Sequence, residues 1–127
     1  MAETSGTGLP RILADTSVLA QTHDAAASGA VFRLTMDPRD LDANVIALPA
    51  GGTIEDHVGP DLDVLLHIVS GGGVLSTDGG DVRLSPGKLV WLPRRSRRAF
   101  AAGPDGLSYL SVHGRKPGLG LSQRPGP

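Results

Sequence analysis

The stretch LDVLLHIVSGGGVLSTDGGDVRLSPGKLVWLP, Leu62 to Pro93, alternates four short apolar segments with three turn signals. None of the segments is longer than nine residues, and they are rich in Val and Leu, which is typical of β-strands rather than helices. The intervening SGGG, TDGG and SPG contain the glycine and proline that tight turns require. This stretch therefore predicts a series of short strands joined by tight turns.

The same pattern covers most of the chain. Its 127 residues include 18 Gly and 10 Pro, and 39% are hydrophobic, which fits one all-β domain built as a sandwich or small barrel. An Ala-rich segment between Ala14 and Ala27 allows one short N-terminal helix. The predicted strands are Val31–Met36, Ala43–Pro49, Thr53–Val58, Leu62–Ser70, Gly73–Thr77, Asp81–Ser85, Lys88–Pro93, Arg98–Ala102 and Leu107–His113.

The ends of the chain differ in composition from its centre. Residues 1 to about 10 are small and polar, and from Gly118 the chain is dense in Gly and Pro, so we expect flexible tails at 1–13 and 117–127 around a domain at 14–116. The absence of cysteine excludes disulfides and thiolate zinc sites. No apolar run approaches the roughly 18 residues that a membrane helix needs, and the start does not resemble a signal peptide. We expect a cytoplasmic protein without a membrane partner.

Charge is divided unevenly between the two parts of the chain. Residues 1–82 hold three Arg against twelve Asp and Glu, whereas residues 83–127 hold nine Arg and Lys against Asp105 alone. Such asymmetry indicates either a basic surface for nucleic acid, or two regions that pair inside the fold or across a dimer. We favour pairing, because the basic residues are not interleaved with the aromatic residues on which single-stranded nucleic acid stacks.

The order of signals between Leu48 and His113 is more specific. LPAGG is followed by a histidine in a polar stretch, and then by an acidic residue that precedes an apolar strand ending in SGGG. TDGG and LSPGKLVWLP come next, and a polar turn then leads to RAF. This order resembles the cupin family. The resemblance spans about half of the chain and implies a double-stranded β-helix, the cupin jelly-roll barrel, which often forms homodimers.

The first cupin motif corresponds to GTIEDHVGPDLDVLLHIVSG, residues 52–71. Gly52 and Gly71 match its framing glycines, His57 matches one of two metal-binding histidines, and Asp63 lies at or next to the acidic position. The second histidine is missing, because Glu55 and Gly59 stand two residues from His57 on either side.

The second motif corresponds to PGKLVWLPRRSRRAF, residues 86–100. The turn, the apolar strand and Pro93 match, but Arg97 or Arg98 replaces the final histidine. Arginine stays protonated at usable pH and cannot ligate a metal. The resemblance thus implies a barrel whose metal site is incomplete, and we expect no metal cofactor.

We expect the barrel to bind a small molecule, with His57, Asp63, Trp91, Arg97 and Arg98 as candidate ligand-binding residues. A guanidinium facing the interior would favour an anionic ligand. The arginines could instead pair with the acidic stretch EDHVGPDLD, or bind nucleic acid. For Trp91, which lies in an apolar strand, a position in the core is the other interpretation.

The alternative function is a metal-dependent cupin enzyme, an oxygenase or isomerase, with a rearranged ligand set of His57, Asp63 and His113 around a divalent transition metal. His113 follows Tyr109 and Ser111 at two-residue spacing, so the three share one face of the last strand. The sequence leaves open whether that face is the barrel interior, and whether the protein is an enzyme.

Overall fold

The computed structural model describes residues 8–22 and 29–115. These residues form one short helix and seven strands, which confirms the all-β prediction. The elements are α1 (Thr16–Thr22), β1 (Gly29–Arg33), β2 (Leu41–Leu48), β3 (Thr53–Val58), β4 (Val64–Thr77), β5 (Gly80–Leu84), β6 (Leu89–Leu92) and β7 (Arg97–Gly114). Apart from residues 8–13, the predicted tails lie outside the described residues. Within them, no helix is long and apolar enough to cross a membrane.

Strands β4 and β7 are each a single long strand where the sequence predicted two. The prediction of a turn at SGGG is wrong, because β4 continues through Gly71–Gly73, where its pairing with β7 shifts in register. A Cβ at Gly71 would overlap the carbonyl oxygen of Gly106, and one at Gly73 would overlap that of Ala101. The glycines thus permit close backbone approach in a bent strand pair rather than a chain reversal.

All strand pairs are antiparallel and form two layers that share β4 and β7. The first sheet has the order β1-β2-β7-β4-β6, using the end of β7 and the start of β4. The second has the order β3-β7-β4-β5, using the other halves of the two long strands. The result is a jelly-roll barrel, in which the two bent strands carry the chain from one sheet to the other.

The core lies between the two sheets. Along β4, Val64, Leu66 and Ile68 are buried whereas Leu65 and His67 are exposed, as the two-residue repeat of a strand requires. The rings of Phe100 and Tyr109 stack in the interior with centroids 5.1 Å apart. The cluster comprises Leu48, Val64, Leu66, Ile68, Leu75, Leu84, Leu92, Phe100, Ala102, Leu107 and Tyr109.

Trp91 is not in the core, so that interpretation is wrong. Its side chain is 60% exposed, whereas Leu92 beside it is 4% exposed and faces inward. Because all four residues of β6 are apolar, the hydrophobic pattern of this strand does not indicate which face is buried. Trp91 lies on the outer surface of the first sheet, away from the interior.

Candidate functional site

The interior of the barrel contains a cavity of about 250 Å³ between the two sheets. One group of lining side chains is apolar, and it supplies most of the wall: Ile46, Ile54, Val64, Leu66, Leu92 and Phe100, with Pro60 beside them. The other group is polar and consists of Asn44, His57, Arg98, Tyr109, Ser111 and His113. Apolar walls with a few convergent polar groups are typical of small-molecule sites.

Arg98 is the charged residue buried most deeply in the part of the chain that the structure describes. It is 4% exposed, and its place in β7 turns its side chain inward, in the same direction as Phe100. Its Nε donates to the carbonyl oxygen of Ser96 at 3.2 Å, and its Nη2 donates to Ser96 Oγ at 2.8 Å and to the Pro93 carbonyl at 3.3 Å. The guanidinium is therefore held by its own turn.

The backbone of Gly59 packs directly against this guanidinium. A Cβ at position 59 would overlap the Cζ, Nη1 and Nη2 atoms of Arg98, so only glycine leaves room for the side chain as it stands. Gly59 is fixed there by its N–H, which donates to the carbonyl oxygen of Ser96 at 2.9 Å. The chain thus holds Arg98 on two sides and leaves it directed into the cavity.

No carboxylate within residues 8–22 and 29–115 forms an ion pair with Arg98, and its Nη1 has no hydrogen-bond partner there. Burial lowers the pKa of the guanidinium from its ordinary value, and the nearby Tyr109 partly offsets this. A buried cation is costly unless an opposite charge or strong hydrogen bonds compensate for its lost hydration. The Nη1 donors of Arg98 therefore lack an acceptor among the described residues.

Tyr109 places a second polar group beside Arg98. It is 5% exposed, and no hydrogen bond of its hydroxyl is found among the described residues. Burial raises the pKa of Tyr109 to about 12, with the charge of Arg98 opposing the shift. The hydroxyl is therefore protonated at neutral pH and available as a donor.

The two histidines of the cavity each have one ring nitrogen engaged by backbone. His57 Nδ1 lies 2.9 Å from the carbonyl oxygen of Glu55, and His113 Nδ1 lies 2.9 Å from that of Gly114. Because a carbonyl oxygen only accepts, Nδ1 of each ring is the donor, and Nε2 of a neutral ring is left as an acceptor. His57 is exposed at the end of the cavity and pairs in register with Arg98 across β3 and β7.

Asp63 does not line the cavity, although the sequence made it a candidate for ligand binding and, in the alternative function, for metal binding. Its Oδ1 accepts a hydrogen bond from the backbone N–H of Arg94 at 3.0 Å and lies 3.9 Å from Nε of the same residue. The carboxylate instead holds the arginine turn in place. It is therefore absent from the metal set that combined it with His57 and His113.

The side chains present do not fit a cupin metal centre. Among the described residues, no group of three or more His, Cys, Asp and Glu side chains is placed to hold a metal ion. The cavity brings together two histidines and a guanidinium, and the positive charge of Arg98 would repel a metal ion bound in the same cavity.

The other arginines of the turn pair with the acidic stretch, as one interpretation of the sequence predicted. Arg97 Nη1 bonds to Asp56 Oδ2 at 2.8 Å, Arg95 Nη1 lies 3.2 Å from Asp61 Oδ1, and Arg94 approaches Asp61 as well as Asp63. These side chains are about half exposed. Arg97 is thus a surface residue, and Arg98 alone of the two candidates faces inward.

The sequence had indicated that Tyr109, Ser111 and His113 share a face, and the structure shows that this face is the interior. Asn44 was missed. Its signal was weak because a single polar residue next to buried Val45 does not reveal which side of β2 faces the cavity.

Comparison with solved structures supports the cupin fold. A Bacillus halodurans protein is 15% identical with a TM-score of 0.66, covering 86% of this chain and 84% of that one. A cupin protein from Bacteroides fragilis is 20% identical with a TM-score of 0.58, covering 67% and 77%. The cupin domain of Schizosaccharomyces pombe Cnp3 is 15% identical with a TM-score of 0.59, and the match covers 66% of this chain and only 62% of that domain.

No family model and no curated protein matches the sequence. At these identities the likeness concerns the fold alone. The chain has the cupin jelly-roll fold, with an arginine in the interior.

Proposed function

We propose that the barrel binds a small anionic molecule without a metal ion, and that Arg98 holds the anion. The observation that supports this most strongly is a guanidinium that is 4% exposed, directed into a cavity and unpaired with any described carboxylate. An anionic ligand would supply the missing opposite charge. It would also supply an acceptor for Nη1 and for the hydroxyl of Tyr109.

The surroundings of Arg98 favour a monocarboxylate over a phosphate. Among the described residues that line the cavity, only Arg98 is a permanent cation, so a dianion would keep one charge uncompensated in a largely apolar space. A carboxylate has one charge and two oxygens, which suit one guanidinium nitrogen and one hydroxyl. The ligand head is therefore a carboxylate.

The lining and the volume of the cavity indicate what the rest of the ligand is like. Its body contacts Ile54, Leu66, Leu92 and similar side chains, so it is apolar. The cavity, at about 250 Å³, is smaller than the roughly 300–1,000 Å³ of drug-sized sites. Asn44 and Ser111, which also line the cavity, would bind a hydroxyl or carbonyl of the ligand. A small aromatic or branched aliphatic acid meets these conditions.

The proposal is tested by thermal-shift and calorimetric screening of acids against the wild-type protein. The panel comprises acetate, isovalerate and benzoate, with phenyl phosphate and benzamide as probes of charge. We expect benzoate and isovalerate to bind, acetate to bind more weakly because it lacks an apolar body, and benzamide and phenyl phosphate to bind least. Equal responses to benzoate and benzamide would contradict anion recognition.

Two adjacent arginines provide a matched pair of variants. Arg98→Gln should weaken benzoate binding by roughly tenfold to a hundredfold, the value of a charge-assisted hydrogen bond. Arg97→Gln, at an exposed position paired with Asp56, should leave binding unchanged. A loss of similar size in both variants would indicate a general effect of surface charge and would contradict a specific role for Arg98.

A further inference from the structure

A second cavity adjoins the one that contains Arg98. It has a volume of about 330 Å³ and lies beside β1, the edge strand of the first sheet. Asn44 and His113 line both cavities, so the two meet at these side chains. We call the second one the edge cavity, and its other lining residues are Arg33, Leu34, Thr35, Arg39, Asp42 and Ala43.

Strand register places Arg33 on the face of the sheet that looks into the barrel. Arg33 is paired with Asn44, and Asn44 is paired with Ser111, which lines the cavity of Arg98. The side chains of directly paired residues lie on the same face of a sheet. Neighbouring strands are about 4.8 Å apart, so Arg33 lies two strands, or about 10 Å, from Ser111. Arg33 thus extends the polar side of the site toward the edge of the sheet.

The other arginine of the edge cavity is paired with the carboxylate there. Arg39 Nε donates to Asp42 Oδ1 at 2.9 Å, and its Nη2 lies 2.8 Å from the same oxygen. Its Nη1 donates to the carbonyl oxygen of Met36 at 2.8 Å and to Asp37 Oδ1 at 3.2 Å. The hydrogen bond from Arg39 is the main cause that lowers the pKa of Asp42 from its ordinary value. Arg39 and Asp42 therefore satisfy each other without a ligand.

Arg33 has no such partner. It is exposed at the end of β1, and in the part of the chain that the structure describes it forms neither an ion pair nor a side-chain hydrogen bond. An exposed arginine without a partner is common on protein surfaces. Arg33 differs because it lines a cavity that meets a site already supplied with one buried guanidinium. Among the described residues, the edge cavity therefore keeps one uncompensated positive charge.

We propose that Arg33 binds the second carboxylate of an elongated dicarboxylic acid whose first carboxylate is bound by Arg98. This inference rests on the proposed function and adds a second charge to the ligand. One unpaired guanidinium in each cavity matches one carboxylate at each end of the molecule. The apolar lining of the first cavity contacts the body of the ligand, and Asn44 and His113 lie where it passes into the edge cavity.

The two ends of the ligand contribute unequally to its affinity. Arg98 is buried, so water screens its ion pair little, whereas solvent and salt weaken a pair with the exposed Arg33. An exposed pair contributes at most about fivefold to an affinity. The second carboxylate therefore selects among acids that Arg98 already holds.

Calorimetric titration with two matched ligands tests the proposal. Both are benzoates with a para substituent, which is a carboxyethyl chain in the diacid and a carbamoylethyl chain in the amide. The two have the same shape and differ by one charge. We expect the wild type to bind the diacid about threefold to fivefold more tightly than the amide, and Arg33→Gln to lose this preference. Arg33→Lys retains the charge and should keep most of it.

Arg83→Gln is the control for the removal of one positive charge. Arg83 is also exposed on an edge strand, β5 of the second sheet, and it lines neither of the two cavities. The preference for the diacid should remain in this variant. Equal preferences in the wild type and Arg33→Gln, or no preference in the wild type, would overturn the proposal.

The amide distinguishes failure of this inference from failure of the proposed function. Its only charge is the benzoate carboxylate, so its affinity should fall about tenfold or more in Arg98→Gln. If it does so while Arg33→Gln still prefers the diacid, Arg98 binds an anion and Arg33 does not. If the amide binds Arg98→Gln as tightly as the wild type, the proposed function is wrong, and the inference that rests on it is wrong as well.

Discussion

At the scale of single residues, Arg98 differs from the other three arginines of its turn because its side chain faces the cavity. RRSRR contains four arginines, and alternation along a strand allows only some of them to face inward. The structure selects Arg98, because the other three are held by Asp56, Asp61 and Asp63 on the surface. That selection depends on the register between β3 and β7, which no local pattern in either strand determines.

Gly59→Ala should affect ligand binding more than stability. The new Cβ would overlap the end of the Arg98 side chain and force the guanidinium to give up hydrogen bonds to Ser96 and Pro93. Because the displaced cation regains hydration, the free energy of unfolding should fall by only about 1 kcal/mol. The displaced guanidinium would no longer point into the cavity, and benzoate binding should weaken roughly tenfold or more. Urea unfolding and calorimetry measure the two effects.

Gly114→Ala is the control for this change, since nothing lies within 4 Å of a Cβ at position 114. Gly114→Ala should change neither the free energy of unfolding nor the affinity for benzoate. If Gly59→Ala binds benzoate as tightly as the wild type, the guanidinium is not fixed by the backbone of Gly59.

Tyr109 makes stability depend on pH in the alkaline range. It is the only tyrosine of the chain, so the absorbance of tyrosinate reports on it alone. Its pKa in the folded protein is about 12, against an ordinary value of 10.0. Between these values the unfolded chain loses the proton while the folded protein keeps it, so stability falls as pH rises, by about 1.4 kcal/mol per pH unit from this group.

Spectrophotometric titration of the folded protein should therefore give a midpoint well above that of the chain in denaturant. The Tyr109→Phe variant should lose this part of the pH dependence of unfolding. A folded-state midpoint near 10 would mean that the hydroxyl is in contact with solvent.

At the scale of elements, the turn signals predicted where strands lie, but they divided β4 and β7 into two strands each where the structure has one. TIEDHV corresponds to β3 over Thr53–Val58, and TDGG does form the turn between β4 and β5. SGGG and AGPDG lie inside β4 and β7 instead. Glycine serves both for reversing a chain and for bringing two strands close, and only the partner strand distinguishes the two uses.

Gly73→Ala should destabilise the protein by about 3 kcal/mol. The added methyl group would overlap the carbonyl oxygen of Ala101, a backbone atom that cannot rotate away. Gly79→Ala, in the hairpin turn, meets only Thr77 Oγ1 at 3.7 Å and should change stability by less than about 0.5 kcal/mol. Denaturant unfolding compares the two, and equal stabilities would show that β4 has room to move at its bend.

At the scale of the whole molecule, the division of charge along the sequence is explained by pairing inside the fold. The loop before β4 and the turn before β7 are far apart in the chain, yet backbone bonds from Arg95 to Pro60 and from Gly59 to Ser96 join them. The acidic and basic segments therefore neutralise each other beside the cavity. Among the described residues that line the cavity, Arg98 is left as the permanently charged side chain.

The role of Arg98 is tested most directly by a cycle of four calorimetric titrations at constant ionic strength. Benzoate and the neutral benzamide, which have the same apolar body, are each titrated into the wild type and into Arg98→Gln. We predict that the wild type prefers benzoate by at least about tenfold and that Arg98→Gln shows no preference. An unchanged preference in Arg98→Gln would contradict the assignment of this arginine as the anion-binding group of the barrel.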